Sequence, residues 1–328
     1  MWLQPLTRAA DTHPRAPEAP PARPPGSPPN GARLRHPPSA PPLVFLVIGL
    51  LIVIGSVIGG YVMHHGKVGV LWQPTEFIII GGAGLGAFIM ANGIGTLKAS
   101  LAATMGLLKP NPFSKTAYGE LLQVLYEVFQ KARKDGLVGL EAHIEEPAKS
   151  DIFQKYPKFA ANGHAVALLA DTLKVLLTGA VEDHNLSEIL DIDLDQQLES
   201  NMHVPHAITT MGDAMPGFGI VAAVLGVIIT MGSIGGAASE IGEKVAAALV
   251  GTFIGILLAY GIVGPIATSI QHRVKAEHAY LCCVRTALLS FARGDAPMTA
   301  VEFARRNIDP HERPSFAELE EMTKKKAA

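Results

Sequence analysis

Residues 216–235 read PGFGIVAAVLGVIITMGSIG, an apolar stretch without one charged side chain. Coiled as an α-helix, a run of this length extends about 30 Å, which matches the hydrocarbon core of a bilayer. Three further runs share the property: LVFLVIGLLIVIGSVIGGY at 43–61, FIIIGGAGLGAFIMANGIGTL at 77–97 and VAAALVGTFIGILLAYGIVGPIATSI at 245–270. Helices on the outside of a soluble core keep a polar stripe toward water, and these keep none. The sequence therefore predicts an all-α integral membrane protein: four transmembrane helices, with a large helical loop between spans 2 and 3.

Composition narrows the function classes. Charged residues make up 17% of the chain, against about 25% for a soluble domain, and the deficit is confined to the four runs. A net charge of −2 gives no electrostatic support for nucleic-acid binding. Cys282 and Cys283 are neighbours in the chain, unsuited to an unstrained disulfide or a zinc site, and read as small apolar residues. No nucleophile-elbow, zinc-protease or P-loop motif is present, and His64 and His65 form a pair without a further ligand at useful spacing. The expectation is neither an enzyme nor a metal or cofactor protein.

Lysine and arginine set the expected orientation. Five arginines precede the first run, ten Lys or Arg lie between residues 98 and 213, and ten follow residue 270. The two short connectors hold one each, Lys67 and Lys244. Both termini and the large loop are thus expected in the cytoplasm and the connectors outside, with Trp72 as an interfacial aromatic. The expected divisions are a proline-rich, disordered head at 1–41 (a genuine extension or a misplaced start codon), spans 1 and 2 within 42–97, a cytoplasmic helical domain at 98–213, spans 3 and 4 within 214–270, and a cytoplasmic tail at 271–328.

Small residues spaced by four crowd the spans: Gly55 and Gly59, Gly82 and Gly86, Gly251 and Gly255. Each pair offers a smooth patch for close helix contact, either among these four helices or with other chains. Pro216 is expected to open span 3, where a missing N–H is tolerated, and Pro265 to kink span 4 or mark its end. No Asp, Glu, Lys, Arg or His falls inside the four runs. A proton path through hydrocarbon needs a titratable group, so the chain is expected to borrow one from a partner helix or to conduct nothing. Hydroxyls at Thr230, Thr252, Tyr260 and Thr268 could bond waters, a partner carboxylate, or their own helix backbone. Glu240 and Glu243 read as ordinary loop charges. In the large loop, apolar periodicity predicts helices over 118–135, 138–146, 166–178 and 186–200, with Gly136 and Pro147 as breaks.

The order of elements, together with KARKDGLVGLEAHIEEP at 131–147, GDAMPGFGIVAAVLGVIITMG at 212–232 and ALVGTFIGILLAYGIVGPIA at 248–267, resembles the MotA family of flagellar motor stator proteins, part of the MotA/TolQ/ExbB proton channels. The resemblance runs from about Leu43 into the tail; the head has no counterpart. It implies a homo-oligomer, a pentameric ring in the lipid of the bacterial inner membrane, around a MotB-like partner that supplies the essential aspartate and a peptidoglycan anchor. Proton passage would change the ring's conformation and turn the rotor protein FliG, with no cofactor beyond the coupling proton. On this resemblance Arg133 and Glu141 take the rotor-facing positions, Pro216 and Pro265 the conformational ones. Ala223 stands where similar sodium-type chains carry Thr, so an oxygen ligand for a hard cation is missing and the proton is expected; Thr252 and Tyr260 complete the expected path along the partner helix. Two alternatives are an ExbB- or TolQ-like energising subunit, whose relatives have three spans, and a secondary transporter, whose internal repeats are not seen here.

Overall fold

The computed structural model describes residues 43–179, 183–232 and 234–327. The proline-rich head lies outside the described residues, and no strand occurs among those described. Helix α1, Leu43–Met63, is uncharged throughout, and none of residues 45–63 is buried within the chain. A single turn, α2 (Val68–Leu71), leads to α3 (Pro74–Gly106). Pro74 sits in the first turn of α3, where its absent N–H removes no helical bond. Trp72, 71% exposed, rests against Phe77 with ring centroids 5.8 Å apart. Gly93 interrupts α3 with φ 75° and ψ 172°, a backbone conformation that glycine reaches without a steric penalty.

Helix α4, Lys115–Asp135, stops at Gly136, whose φ of 77° is again glycine's territory. The segment expected as one helix over 138–146 divides into a 3₁₀ turn, Leu137–Leu140, and α5, Glu141–Glu145. Gly136 and Gly139 weaken helix propensity there, and the tighter turn takes over. A second 3₁₀ turn at Pro147–Lys149 precedes α6 (Asp151–Gln154), α7 (Pro157–Ala160) and α8 (Gly163–Leu177). The Ser150 and Asn162 side chains cap α6 and α8 by accepting from Phe153 N and Ala165 N.

Two long helical runs then dominate. Helix α9, Asp183–Met231, has 49 residues and so extends about 74 Å. Helix α10 (Ala238–Ile256), a π-helical stretch (Leu257–Val263) and α11 (Gly264–Ala292) follow one another without a break. Helices α12 (Pro297–Asn307) and α13 (Phe316–Ala327) close the chain. Among the described residues four helical stretches, within 45–63, 68–106, 184–231 and 238–292, are long and apolar enough to cross a membrane.

The molecule has two kinds of core. The larger gathers Leu121, Leu125 and Phe129 from α4, Leu169 from α8, Val284 and Leu288 from α11, and Val301 from α12. Phe129 stacks on Phe291 at 4.4 Å. Each such side chain contributes about 1.5–3 kcal/mol on burial. Residues within 113–194 and 280–319 therefore share one core. Within it Glu302 accepts from Arg305 Nε at 2.6 Å and from Arg306 Nε at 2.7 Å, while Arg305 Nη1 donates to Pro314 O at 2.9 Å. The Arg305 guanidinium, aided by Arg306, holds the Glu302 carboxyl below its ordinary value. The smaller core lies among the candidate spans: Ile80, Met215, Ala222, Val250, Ile254 and Ala259. At the junction between the cores Arg273 on α11 donates to the carbonyls of Gly106, Lys109 and Pro110, satisfying groups that the end of α3 leaves open.

Candidate functional site

The α9–α10 crossing is built from residues with almost no side chain. A Cβ placed on Gly219 would lie 2.9 Å from Gly251 O and 3.2 Å from Thr252 Cα. One on Gly255 would lie 2.8 Å from Met215 O, and one on Gly226 would lie 2.6 Å from Ala248 Cβ. Here backbone meets backbone, which is how helices associate where water supplies no hydrophobic drive. Of the expected small-residue patches, Gly251 and Gly255 belong to this internal contact. Gly55, Gly59, Gly82 and Gly86 have nothing within 4 Å of such a Cβ and leave open patches on α1 and α3.

A further contact joins the stretches that hold the two prolines. Pro216 does not start a helix: it sits inside the single helix α9, with Pro205 also inside it. The apolar run begins at Pro216 because Asp213 precedes it, but the helix itself continues through both residues. As an interior proline, Pro216 leaves the carbonyl four residues back, that of Gly212, without its helical donor. A Cβ on Gly212 would lie 3.1 Å from Val263 Cγ1 and 3.9 Å from Ala259 O, so Gly212 packs on the π-helical stretch just before Pro265. Pro265 occupies the first turn of α11, and the wider π-helical winding before it relieves the clash its ring would make with the preceding turn. The two irregular places in α9 and in the α10–α11 run are thus one contact.

Ala223 and Thr252 are half-buried on either side of the crossing, next to the Ala222–Gly251 contact. Tyr260 lies about two turns along, in the π-helical stretch, and is 67% exposed; it is not brought to the crossing. Thr230 donates to Gly226 O at 2.8 Å, so its hydroxyl is engaged by its own helix. Arg133 and Glu141 are exposed on either side of the Gly136 turn, at the end of α4 and the start of α5. Arg133 Nη1 donates to Gly294 O at 3.3 Å, which ties α4 to the α11–α12 corner while leaving its charge at the surface. No group of metal ligands occurs among the described residues.

The four apolar runs hold no ionisable residue, but the helix that carries the run at 77–97 has one in its first turn. Glu76 lies in the first turn of α3, within a candidate span, and is only 7% exposed. Its Oε2 has no hydrogen-bond partner, and a Cβ on Gly251 would lie 2.6 Å from it. A charged residue ends a hydropathy run, so the sequence assigns Glu76 to the connector; the signal available was its place in the first turn after Pro74.

Comparison with known proteins gives this geometry a family. A model described as "Motility protein A N-terminal" matches residues 47–136, and one described as "MotA/TolQ/ExbB proton channel family" matches residues 160–281. "Motility protein A" of Salmonella typhimurium is 40% identical over 279 residues, covering 85% of this chain and 94% of that protein. The solved structure "Structure of C. jejuni MotAB" aligns with a TM-score of 0.67 at 17% identity, over 83% of this chain and 99% of that one. The "flagellar MotAB stator complex from Bacillus subtilis" aligns with a TM-score of 0.61 at 22% identity, over 78% and 92%. At those identities the structures speak for the fold alone. Two family models and a relative matched over nearly its whole length make the chain a member of the motility protein A group of the MotA/TolQ/ExbB proton channel family.

Proposed function

We propose that this chain is the membrane subunit of a flagellar motor stator, a channel component rather than an enzyme. Its large core and both termini face the cytoplasm of a bacterial inner membrane. Several copies, five on the family resemblance, surround a MotB-like partner that carries the acid central to proton transfer and an anchor to peptidoglycan. Ala223, Thr252 and Tyr260 line the path along the partner helix, and the coupling ion is the proton. Arg133 and Glu141 grip the rotor protein FliG through exposed charges, which steer and orient with little net affinity and so suit a contact made and broken repeatedly.

The observation that carries this reading is the near-complete cover of the Salmonella relative, 94% of its length, spans and extramembrane portion together. The geometry supports a route for the force. Helix α9 and the α10–α11 run contribute to both cores, and Pro216 and Pro265 mark the place where they meet. A small change of packing at the crossing is carried by rigid helices into the domain bearing Arg133 and Glu141. An ExbB- or TolQ-like role is less supported, because the N-terminal match is to motility protein A.

Complementation tests it. Expressed with its partner in a strain lacking all stators, the chain restores swimming. Arg133→Glu and Glu141→Lys each lower swimming speed several-fold while membrane levels and oligomer size hold. Unchanged swimming in both variants removes these residues from the rotor contact, and failure of the unmodified chain to complement rejects the stator reading.

A further inference from the structure

Among the described spans, Glu76 is a carboxyl group that the partner-borrowed mechanism above does not use. It packs against the middle of its neighbours although it stands in the first turn of its own helix. Gly251 is thirteen residues into α10 from Ala238, and Ala222 is nine residues before the end of α9 at Met231, distances of about 20 Å and about 13 Å along those helices. The fit around it is specific. A Cβ on Gly251 would come 2.6 Å from Oε2 and 3.0 Å from the Ala222 Cβ, so only glycine leaves this room for the carboxyl. The residues next in sequence are Ala223 and Thr252, which flank the crossing.

A buried carboxyl oxygen with no hydrogen-bond partner is costly as an anion and gains nothing as packing that an apolar side chain would not supply better. In a helix long and apolar enough to cross a membrane, an unpaired carboxyl buried against its neighbours points to function. The titratable side chains on the elements packed around it are distant in sequence from the contact. Lys67 precedes α2; Glu240, Glu243 and Lys244 stand in the first turns of α10, with Lys244 paired to Glu240 at 2.9 Å. Tyr260 lies in the π-helical stretch, and the nearest on α9 is Asp213, nine residues before Ala222. None of them replaces a carboxyl at Gly251.

We propose that Glu76 is a proton-carrying station of this chain, set between the water at the connector side and the acid on the partner helix. Its carboxylate takes one proton at Oε2 and becomes a neutral carboxylic acid. The O–H bond then breaks as the proton passes to the partner's carboxylate, and the Glu76 carboxylate is restored. Nothing is oxidised or reduced, and the only co-reactants are water and that acid. Gly251 makes room for the carboxyl, so the α9–α10 crossing sets where the proton waits. This inference rests on the stator reading.

The test uses the full chain with its partner in a stator-null strain, reading rotation speed under high load at external pH from about 5 to about 8. Glu76→Gln keeps the shape and removes the proton site; at normal membrane levels its speed falls by at least about tenfold. Glu76→Asp keeps rotation with a displaced pH profile. If Glu76→Gln turns motors at the unmodified speed across that range, the station is overturned while the stator reading stands. If the unmodified chain restores no rotation, the stator reading itself fails. Should Glu76→Gln not reach the membrane, infrared difference spectra of the purified unmodified complex decide. A carboxyl band that responds to pH, shifts with glutamate-specific isotope labelling and vanishes in Glu76→Asp upholds the proposal; absence of such a band overturns it.

Discussion

The two cores reach the same end by opposite means. In the larger core, Phe129 stacks on Phe291 and Leu121, Leu125 and Leu288 fill the space between helices. Large side chains leave water there, and the hydrophobic effect favours their size. At the α9–α10 crossing, Gly219, Gly251 and Gly255 bring backbone within contact distance of backbone. Lipid is as apolar as leucine, so size adds nothing, and close approach gains dispersion contacts instead. Residue size therefore predicts opposite tolerances: one core is damaged by removing atoms, the other by adding them.

That contrast can be broken directly. Phe129→Ala removes a fully buried ring and costs about 3–5 kcal/mol, measured as loss of thermal stability of the full chain in detergent. Gly255→Ala adds one carbon, 2.8 Å from Met215 O and 3.0 Å from Gly219 Cα. Because both neighbours are backbone, the helices must part, at about 1–3 kcal/mol. If Gly255→Ala is neutral or stabilising, the crossing is looser than described and the contrast fails at its membrane side.

Much of this is legible in the sequence, and the failures are informative. The four uncharged runs mark the spans, and Gly136 marks the stop of α4, because each depends on local composition or on one residue's backbone freedom. Pro216 reads falsely as a helix start. Local rules disfavour an interior proline, yet α9 runs through it, with Gly212 packed on Val263 one turn earlier. Glu76 reads as a connector residue because hydropathy stops at a charge. Its burial depends on how α3 is set against Gly251, 175 residues later in the chain, and no local pattern encodes that register. Arg133 and Glu141 stand out only through family resemblance, since an exposed charge by itself is usually a solvated face.

The larger core also carries a carboxylate, but a paired one, unlike Glu76 at the crossing. Glu302 is held between Arg305, 8% exposed, and Arg306. Its folded carboxyl is depressed below its ordinary value, chiefly by the Arg305 hydrogen bond. The sign follows: a depressed carboxyl adds stability at pH above its unfolded value, and that stability is lost as pH falls through the folded value. Glu302→Gln therefore costs about 1 kcal/mol near neutral pH, and the difference from the unmodified chain shrinks on acidification. A difference that stays constant down through the carboxylate range would mean that shape, not charge, holds the α12 corner.

The smallest effect sharpens the contrast most. Gly82 lies on α3, exposed, with nothing within 4 Å of the position a Cβ would take. Gly82→Ala should change the stability of the isolated chain by no more than about 0.5 kcal/mol, with better helix propensity offsetting any loss. If the open patches on α1 and α3 are where copies of the chain meet, a bulkier change, Gly82→Leu, leaves that stability equally unmoved yet shifts the detergent-purified complex to smaller species on size-exclusion chromatography. The same change would have destroyed the crossing at Gly255. A glycine that tolerates leucine in the single chain and fails only in the assembly separates a surface kept smooth for a neighbouring copy from one kept smooth for the fold. An assembly of unchanged size would instead assign the Gly82 and Gly86 patch to lipid, leaving Gly55 and Gly59 on α1 as the smooth surface through which copies could meet.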